Sequence, residues 1–329
     1  MLIRTAAAKS MWLKIVPIAC LLSTCAVHAP SQSQAVFGTV AIHDGITLHY
    51  VQEGAGDPVI FVHGSLADYG YWKEQVDAFS KHYLAIAYSR RYNYPNKNPA
   101  RADYSAISDA DDLAAFIQAR HLKNVFIVGH SYGALTALFL AQRHPELVRA
   151  MVLAEPPAVS LLDRLPDGEA AKGKAMFQDI QNRMVVPMQT AFRKGDTSAG
   201  VGVFINYVFN DPQGWQKFTP EQRSDTLRDA HEWDVMMTRG TLFPTITPEQ
   251  VRKIETPTLI ISGGRSYPFL LLIDESLGRF LPHSRSVIFA DANHQMWYQH
   301  PQECRKDVED FFSTVASDKS KIAPDVNTR

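Results

Sequence analysis

Residues 124–144, NVFIVGHSYGALTALFLAQRH, decide the fold of this chain. The apolar run 125–128 predicts a buried strand, and the segment that follows the turn is rich in Ala and Leu and has the pattern of a helix. Between them, Gly129-His130-Ser131-Tyr132-Gly133 forms a sharp turn with Ser131 at its apex. The turn needs glycine on both sides, because the strand and the helix pass too close to each other for side chains. Taken alone, the pentapeptide is also compatible with an ordinary strand-to-helix turn.

Strand-like and helix-like segments alternate over residues 59–154 and again over residues 258–315. This alternation predicts a mostly parallel sheet with helices on both faces, and therefore an α/β fold. Ahead of it, the pair Asp44-Gly45 lies between two strand-like runs and predicts an antiparallel hairpin.

The middle of the chain has a different pattern from the rest. Over residues 157–249 the strand-like runs disappear, helical spacing dominates, and Met and aromatic residues are frequent. We interpret this segment as a mostly helical cap inserted into a core formed by residues 35–156 and 250–316. The polar residues 317–329 are expected to form a loose C-terminal tail.

The N-terminal segment, residues 1–29, has the order of a secretory signal: basic residues, an apolar run and small residues. The apolar run is too short to span a membrane as a helix. We expect cleavage after Ala29 and a secreted or periplasmic protein. The run Leu22-Ser-Thr-Cys25 also resembles a lipobox, so lipid attachment at Cys25 is an alternative.

The bulk composition indicates a globular protein that acts on a small molecule. Hydrophobic residues make up 46% of the chain, and 33 basic residues against 34 acidic ones give a net charge of −1. This balance favours neither nucleic acid nor an anionic membrane as a partner. The sequence has no metal-binding spacing and no glycine-rich dinucleotide motif, so we expect neither a metal nor a cofactor. Cleavage would remove the cysteines of the leader and leave Cys304. We interpret Cys304 as a small buried apolar residue.

A serine hydroxyl is a poor nucleophile at neutral pH and needs a base within hydrogen-bond reach, which a third group orients. His294 follows the last predicted core strand, at the carboxyl end of the sheet where sites of α/β proteins lie. We therefore predict Ser131 as the nucleophile and His294 as the base. His63 and His130 are interpreted as parts of turns.

The acid that orients the base is predicted to be Glu155, which ends the strand directly after the helix that follows Ser131. The other interpretations of this residue are a solvated charge at a strand end and a glutamate that holds a residue of the cap. After the next strand, Ser266 stands where an aspartate is expected, and a serine cannot supply the negative charge. Asp274 is the reserve candidate, and Asp291 is too close to His294 in sequence to orient it well.

Stabilisation of an oxyanion needs two backbone N–H groups, and losing one such donor typically costs about 3 kcal/mol. The residue after the nucleophile supplies one, so we assign the N–H of Tyr132. In the loop His63-Gly64-Ser65, we assign the N–H of Ser65 as the second donor. Gly64 lets the backbone come close to the reacting atoms.

The loop at residues 63–65 with Trp72 downstream, the turn at residues 129–133, and Asn293-His294 together resemble the α/β-hydrolase superfamily over residues 37–315. The resemblance implies the chain order nucleophile, acid, base. The dehalogenases and epoxide hydrolases of the superfamily use an aspartate nucleophile. The resemblance therefore implies that a chain with Ser131 at this position has neither activity.

A narrower resemblance rests on Glu155, which lies 24 residues after Ser131 and is followed by two prolines. This position and the absence of a later aspartate make the chain similar to the subset of the superfamily in which the acid follows the sixth strand. Lactonases of the zearalenone-hydrolysing type belong to that subset and use a Ser, Glu, His set.

These observations predict a serine hydrolase that cleaves a carboxylic ester or lactone through an acyl-enzyme. The Met and aromatic residues of the cap suggest a fairly apolar substrate. Carbon–carbon bond hydrolysis, perhydrolysis, and a non-catalytic small-molecule-binding module are the alternatives. In the loop 88–95, Arg90 and Arg91 could bind a substrate carboxylate at the rim of the pocket, although a surface or structural role is favoured.

Overall fold

An eight-stranded sheet organises residues 34–320, the part of the chain that the computed structural model describes. Its strands are β1 (Val36–Ala41), β2 (Thr47–Glu53), β3 (Pro58–Val62), β4 (Leu84–Tyr88), β5 (Val125–His130), β6 (Val148–Ala154), β7 (Thr258–Gly263) and β8 (Ser284–Phe289). Their order across the sheet is β1-β2-β4-β3-β5-β6-β7-β8. β2 is antiparallel to β1 and to β4, and all other neighbours are parallel. The predicted α/β fold class and the N-terminal hairpin are confirmed.

Thirteen α-helices lie within the described residues. They are α1 (Lys73–Phe79), α2 (Ala106–Ala119), α3 (Tyr132–Arg143), α4 (Asp167–Ile180), α5 (Val186–Arg193), α6 (Thr197–Val208), α7 (Gly214–Lys217), α8 (Pro220–Arg228), α9 (His231–Arg239), α10 (Pro248–Val251), α11 (Pro268–Phe280), α12 (Met296–Gln299) and α13 (Pro301–Ser320). None of the helices in this part of the chain is both long and apolar enough to cross a membrane.

Both faces of the sheet are buried, and β3 shows how the sequence achieves this. Successive side chains of a strand point to opposite faces. Val59 and Phe61 therefore belong to the hydrophobic cluster that also contains side chains of α1 and α13. Ile60 and Val62 belong to the cluster on the other face, with side chains of α2, α3 and α11. Continuous apolar strands of this kind are typical of a parallel sheet covered by helices on both sides.

The segment 157–249, predicted to be a cap, contains α4 to α9 and the start of α10. No strand forms in it, whereas β6 precedes it and β7 follows it. The chain thus leaves the sheet after β6 and returns at β7, as the pattern of the sequence predicts. The division into core and cap at these residue numbers stays a prediction.

The C-terminal helix corrects one expectation. α13 extends to Ser320, so residues 317–320 of the predicted loose tail are helical. The helix is anchored by Phe312 and Val315, which are buried against the sheet. No glycine or proline follows until Pro324, so nothing in the sequence ends the helix at residue 315. Residues 321–329 and the predicted signal segment 1–29 lie outside the described residues, and secretion stays a prediction.

Candidate active site

The turn around Ser131 has the strained geometry that its sequence predicts. Ser131 has φ 54° and ψ −123°, a backbone conformation that residues other than glycine rarely adopt. A Cβ atom on Gly129 would stand 2.6 Å from the Cα atom of Ala134. A Cβ atom on Gly133 would overlap the carbonyl oxygen of Val62. Close approach of strand and helix therefore accounts for both glycines, and the half-buried serine stands at the apex between them.

Topology brings the predicted site residues to one edge of the sheet. Ser131 directly follows β5, Glu155 directly follows β6, and His294 lies in the loop after β8. β5, β6, β7 and β8 are consecutive parallel neighbours. Because the carboxyl ends of parallel strands meet at the same edge, the three side chains converge although they are far apart in sequence.

Glu155 and His294 form a buried hydrogen-bonded pair. The Nδ1 atom of His294 is bonded to Oε2 of Glu155, and the carboxylate is fully buried. The other carboxylate oxygen, Oε1, accepts the N–H of Gly263 at 2.7 Å. An ionised carboxylate only accepts hydrogen bonds, so Nδ1 carries the proton and Nε2 of His294 is left as the basic nitrogen. The carboxylate is thus anchored at both oxygens and fixes the orientation of the imidazole.

His130 supports the loop that carries His294. Its Nε2 atom donates to the carbonyl oxygen of His294 at 2.8 Å. Its ring stacks on Tyr71 with the centroids 5.4 Å apart and lies 4.6 Å from the ring of His294. Burial, with a smaller contribution from the charge of His294, lowers the pKa of His130 well below its usual value. His130 is therefore neutral, and sequence analysis missed this contact because it treated the residue only as part of the turn.

Ser131 and His294 line one cavity of about 410 Å³, which we call the outer lobe. The same two residues also line a smaller space of about 30 Å³ beneath the cap, the inner lobe. Met184, Phe204 and Trp233 contribute to the apolar wall of the inner lobe. Among residues 34–320, no group forms a hydrogen bond with the Oγ atom of Ser131; the hydrogen bonds of His294 run from Nδ1 to Glu155 and from His130 to its carbonyl oxygen.

The loop at residues 63–66, which we call the oxyanion loop after its predicted role, passes beside Ser131. A Cβ atom on Gly64 would stand 3.0 Å from the Cβ atom of Ser131. Ser65 and Tyr132 both line the inner lobe together with Ser131. Leu66, directly after Ser65, has φ 55° and is, with Ser131 and Glu155, one of the residues of the site that have a positive φ. The two N–H donors assigned from sequence lie near the nucleophile, and their role stays a prediction.

Neither of the other candidate acids contacts the imidazole of His294. Asp274 is buried, and its Oδ2 atom accepts the hydroxyl of Ser262 at 2.6 Å. Burial and the negative charge of Glu155 raise the pKa of Asp274 well above its usual value, which disfavours the charged form that an orienting acid needs. Asp291 lies 3.1 Å from Nε2 of His300. Of the candidate acids, Glu155 is thus the one that is hydrogen-bonded to Nδ1 of His294.

The two arginines of the loop 88–95 are buried, which excludes a surface role for them. Arg90 is completely inaccessible to solvent, and its Nη1 atom donates to Oδ2 of Asp109 at 2.7 Å. Arg91 donates from Nε to Oδ2 of Asp112 at 2.6 Å. Neither arginine lines the outer or the inner lobe. The alternative that they bind a substrate carboxylate at the pocket rim is wrong, because buried acids already pair with both guanidinium groups, and of the two favoured roles the structural one is observed.

Arg90 also connects the oxyanion loop to the cap. Its Nε atom donates to the carbonyl oxygen of His63 at 3.2 Å, and its Nη2 atom donates to that of Gly64 at 3.1 Å. Nη2 is also paired with Glu232 of α9. Although burial opposes the charged form, Glu232 and Asp109 raise the pKa of Arg90 well above its usual value. Sequence analysis missed Glu232 and Asp109, since no local pattern distinguishes them from surface acids.

A larger groove, of about 580 Å³, lies at the other end of the sheet. It is lined by residues at the starts of strands, among them Val148, Thr258 and Ser284. Sites of open α/β sheets lie at the carboxyl ends of the strands, and this groove includes none of the residues around Ser131. The cavity at Ser131 is therefore the candidate active site. Within the described part of the chain, no group of three or more His, Cys, Asp or Glu side chains is arranged to hold a metal ion.

Comparison with known proteins identifies the family. A family model described as the alpha/beta hydrolase fold matches residues 57–181. A non-heme chloroperoxidase of Kitasatospora aureofaciens is 32% identical over 228 residues, which are 67% of this chain and 78% of the relative. The chain belongs to the α/β-hydrolase superfamily. The resemblance inferred from the turn at residues 129–133, the loop at residues 63–65 and Asn293-His294 is therefore confirmed at the level of the superfamily.

Other relatives of this α/β-hydrolase support a general hydrolase activity. The 2-hydroxy-6-oxo-6-(2'-aminophenyl)hexa-2,4-dienoic acid hydrolase of Metapseudomonas resinovorans is 25% identical over 284 residues, 83% of this chain and 89% of the relative. Among solved structures, an esterase from Exiguobacterium antarcticum superimposes with a TM-score of 0.66 at 20% identity, covering 85% of this chain and 100% of the esterase. This structural likeness shows a shared fold.

Proposed function

We propose that this α/β-hydrolase cleaves a carboxylic ester or lactone of a fairly apolar small molecule through an acyl-enzyme on Ser131. The observation that carries the proposal is the buried pair of Glu155 and His294 beside the strained Ser131, in a cavity that Ser131 and His294 both line. A histidine oriented by a buried carboxylate is the base that a serine nucleophile needs.

In the proposed acylation step, Oγ of Ser131 attacks the carbonyl carbon and its proton passes to Nε2 of His294. Glu155 stabilises the imidazolium that forms. The N–H groups of Ser65 and Tyr132 bind the negative oxygen of the tetrahedral intermediate. The bond from the carbonyl carbon to the leaving oxygen then breaks, and His294 donates its proton to that oxygen, which completes the alcohol.

In the proposed deacylation step, His294 takes a proton from water while the water oxygen attacks the acyl carbon. The bond to Oγ then breaks, the proton returns from His294 to Ser131, and a carboxylic acid leaves. The net reaction is an ester plus water giving an acid plus an alcohol. For a lactone, the acid and the alcohol remain in one molecule.

The two lobes suggest how the substrate lies. The outer lobe is bounded by Gln295 and Tyr298, which follow His294 in the chain, so it suits the leaving group that His294 must protonate. The inner lobe adjoins Tyr132, one of the proposed oxyanion donors. At about 30 Å³ it has room for roughly two water-sized groups. We therefore propose a short acyl chain in the inner lobe and a larger alcohol portion in the outer lobe.

The narrower likeness to zearalenone-hydrolysing lactonases stays a prediction. It is supported by the position of Glu155 at the end of β6 and by its pairing with His294. Esters and lactones undergo the same acyl transfer, so this likeness affects the choice of substrate and leaves the proposed mechanism unchanged.

The proposal is tested by hydrolysis of p-nitrophenyl acetate and p-nitrophenyl butyrate with the wild type, Ser131→Ala, Glu155→Gln and Asp274→Asn. We expect Ser131→Ala and Glu155→Gln to abolish most turnover, and Asp274→Asn to keep it. A fluorophosphonate should label Ser131 in the wild type. If the wild type is labelled but hydrolyses no ester or lactone, the reaction is another serine-dependent one, such as carbon–carbon bond hydrolysis or perhydrolysis. If it is not labelled either, the non-catalytic binding module is favoured.

A further inference from the structure

We propose that Glu232, on the cap helix α9, is a positioning residue that holds the oxyanion loop in the shape needed to bind the tetrahedral intermediate. The inference rests on the proposed function, because it assigns Glu232 a role in the same reaction. It adds a residue from the cap, 101 residues away from Ser131 in the chain, to the machinery of the site.

The first contact is direct. Oε1 of Glu232 accepts the backbone N–H of Leu66 at 2.6 Å. Leu66 has φ 55°, a conformation that a leucine adopts only when its surroundings hold it there. Its N–H belongs to the peptide unit that follows Ser65 in the chain. Fixing this unit restrains the backbone of Ser65, whose own N–H is the proposed oxyanion donor.

The second contact runs through Arg90. Oε2 of Glu232 is paired with Nη2 of Arg90, and that same Nη2 donates to the carbonyl oxygen of Gly64. Nε of Arg90 donates to the carbonyl oxygen of His63. One carboxylate thus holds the N–H at the end of the oxyanion loop and, through Arg90, the two carbonyl groups at its start.

Because this arrangement is buried, each of its donors and acceptors needs a partner within the protein. Glu232 and Arg90 are both completely inaccessible to solvent, so water cannot replace either partner. Two donors, from Leu66 and from Arg90, face the two oxygens of the carboxylate. A glutamine at this position has only one acceptor oxygen and would leave one of the donors unsatisfied.

The residue next to Glu232 places the same helix at the proposed acyl-binding site. Trp233 follows Glu232 in α9 and lines the inner lobe, where the acyl group is proposed to bind. A cap helix that touches the acyl chain therefore also holds the oxyanion loop. The geometry points to a site in which the cap contributes to binding of the intermediate as well as to the shape of the pocket.

Asp109 offers a matched control. It is as buried as Glu232 and is paired with the same guanidinium, through Nη1 of Arg90. Its carboxylate also accepts the hydroxyl of Tyr104, and it forms no hydrogen bond with residues 63–66. Asp109→Asn therefore removes a negative charge beside Arg90, as Glu232→Gln does, without removing an acceptor from the oxyanion loop.

The experiment measures kcat and KM for p-nitrophenyl acetate, the inhibition constant of 1,1,1-trifluoro-2-butanone, and the Tm of each variant. The trifluoromethyl ketone forms a tetrahedral adduct with a serine nucleophile and so reports on binding of the intermediate. For Glu232→Gln we expect kcat to fall about 10-fold to 100-fold, as for a small displacement of a catalytic group, with KM little changed. Binding of the ketone should weaken by the same factor. Asp109→Asn should lower Tm similarly, but because Glu232 and the two loop carbonyl groups still hold Arg90, it should reduce kcat and ketone binding much less than Glu232→Gln does.

Glu232→Asp keeps the charge beside Arg90 but is one methylene shorter, so it cannot hold Arg90 and Leu66 together. It should therefore lose kcat and ketone binding as Glu232→Gln does, and it serves as the test if Glu232→Gln does not fold. The inference is overturned if the Glu232 and Asp109 variants lose kcat equally, or if the Glu232 variants change only Tm. A wild type that neither hydrolyses the ester nor binds the ketone would instead refute the proposed function.

Discussion

Glu155 connects His294 to the backbone at the end of β7. One carboxylate oxygen is bonded to Nδ1 of His294, and the other accepts the N–H of Gly263 at 2.7 Å. The residue is at the end of β6, yet its carboxylate reaches the neighbouring strand end, where the sequence has no acid. An acid from β6 can therefore reach the imidazole of a histidine after β8, because the side chain crosses the end of β7.

This arrangement predicts the effect of changing Glu155. In Glu155→Gln, the amide cannot supply the negative charge that stabilises the imidazolium, and kcat should fall by up to about 10⁴-fold with a small change in KM. Steady-state hydrolysis of p-nitrophenyl acetate measures this, with Ser131→Ala as the background. Equal kcat values for Glu155→Gln and the wild type would exclude Glu155 as the acid.

The predicted site residues that the structure brings together are those whose signal in the sequence is local. Ser131 lies in a turn whose two glycines and flanking apolar patterns all fall within residues 124–144. His294 and Glu155 could be assigned because each follows a recognisable strand, and strand ends of a parallel sheet converge. Residues in turns and at strand ends can be predicted because the period of the apolar residues and the position of the turns both depend on short stretches of sequence.

The residues that the sequence could not identify depend on contacts between distant parts of the chain. Glu232 and Arg90 are 142 residues apart, and nothing near either one indicates that both are buried. A charged residue is ordinarily expected at the surface, so the sequence alone does not distinguish a surface role of Arg90 from a structural one. Similarly, Leu66 and Glu155 have left-handed backbone conformations. The sequence does not predict them, because neither residue is a glycine.

The strained backbone at Ser131 predicts that removing the side chain altogether stabilises the protein. Glycine adopts φ 54° and ψ −123° without strain, whereas alanine keeps the Cβ atom that makes this conformation costly. Ser131→Gly should therefore have a higher Tm than Ser131→Ala, by about 2–4 °C for each 1 kcal/mol of strain that is relieved. Both variants lack the hydroxyl, so thermal denaturation of the pair isolates the backbone effect. Identical Tm values would show that the turn is not strained.

The raised pKa of Asp274 predicts a stability effect that grows with pH. In the unfolded chain this carboxyl ionises near its usual pKa of 3.8, whereas in the folded protein burial and Glu155 keep it protonated to much higher pH. The unfolded state therefore releases a proton that the folded state retains. The free energy of unfolding falls by up to about 1.4 kcal/mol per pH unit as pH rises from the unfolded to the folded pKa.

Asp274→Asn removes this proton release. Its Tm should match the wild-type Tm near pH 4 and exceed it increasingly as the pH rises above the unfolded-state pKa, while ester hydrolysis stays near the wild-type rate. Asp291, whose side chain is 67% exposed, provides the control, because Asp291→Asn should show no such divergence. A Tm difference that is constant with pH would mean that Asp274 is ionised in the folded protein.

The small inner lobe predicts a limit on acyl chain length. Because it has room for roughly two water-sized groups, kcat/KM should be highest for p-nitrophenyl acetate, lower for the butyrate and at least about tenfold lower for the octanoate than for the acetate. Met184→Ala enlarges this lobe and should raise kcat/KM for the octanoate relative to the acetate. Phe209 lines only the outer lobe, so Phe209→Ala should leave the preference for acyl length unchanged and alter the preference among alcohols. If Phe209→Ala shifts the acyl preference and Met184→Ala does not, the acyl chain lies in the outer lobe and the proposed orientation of the substrate is reversed.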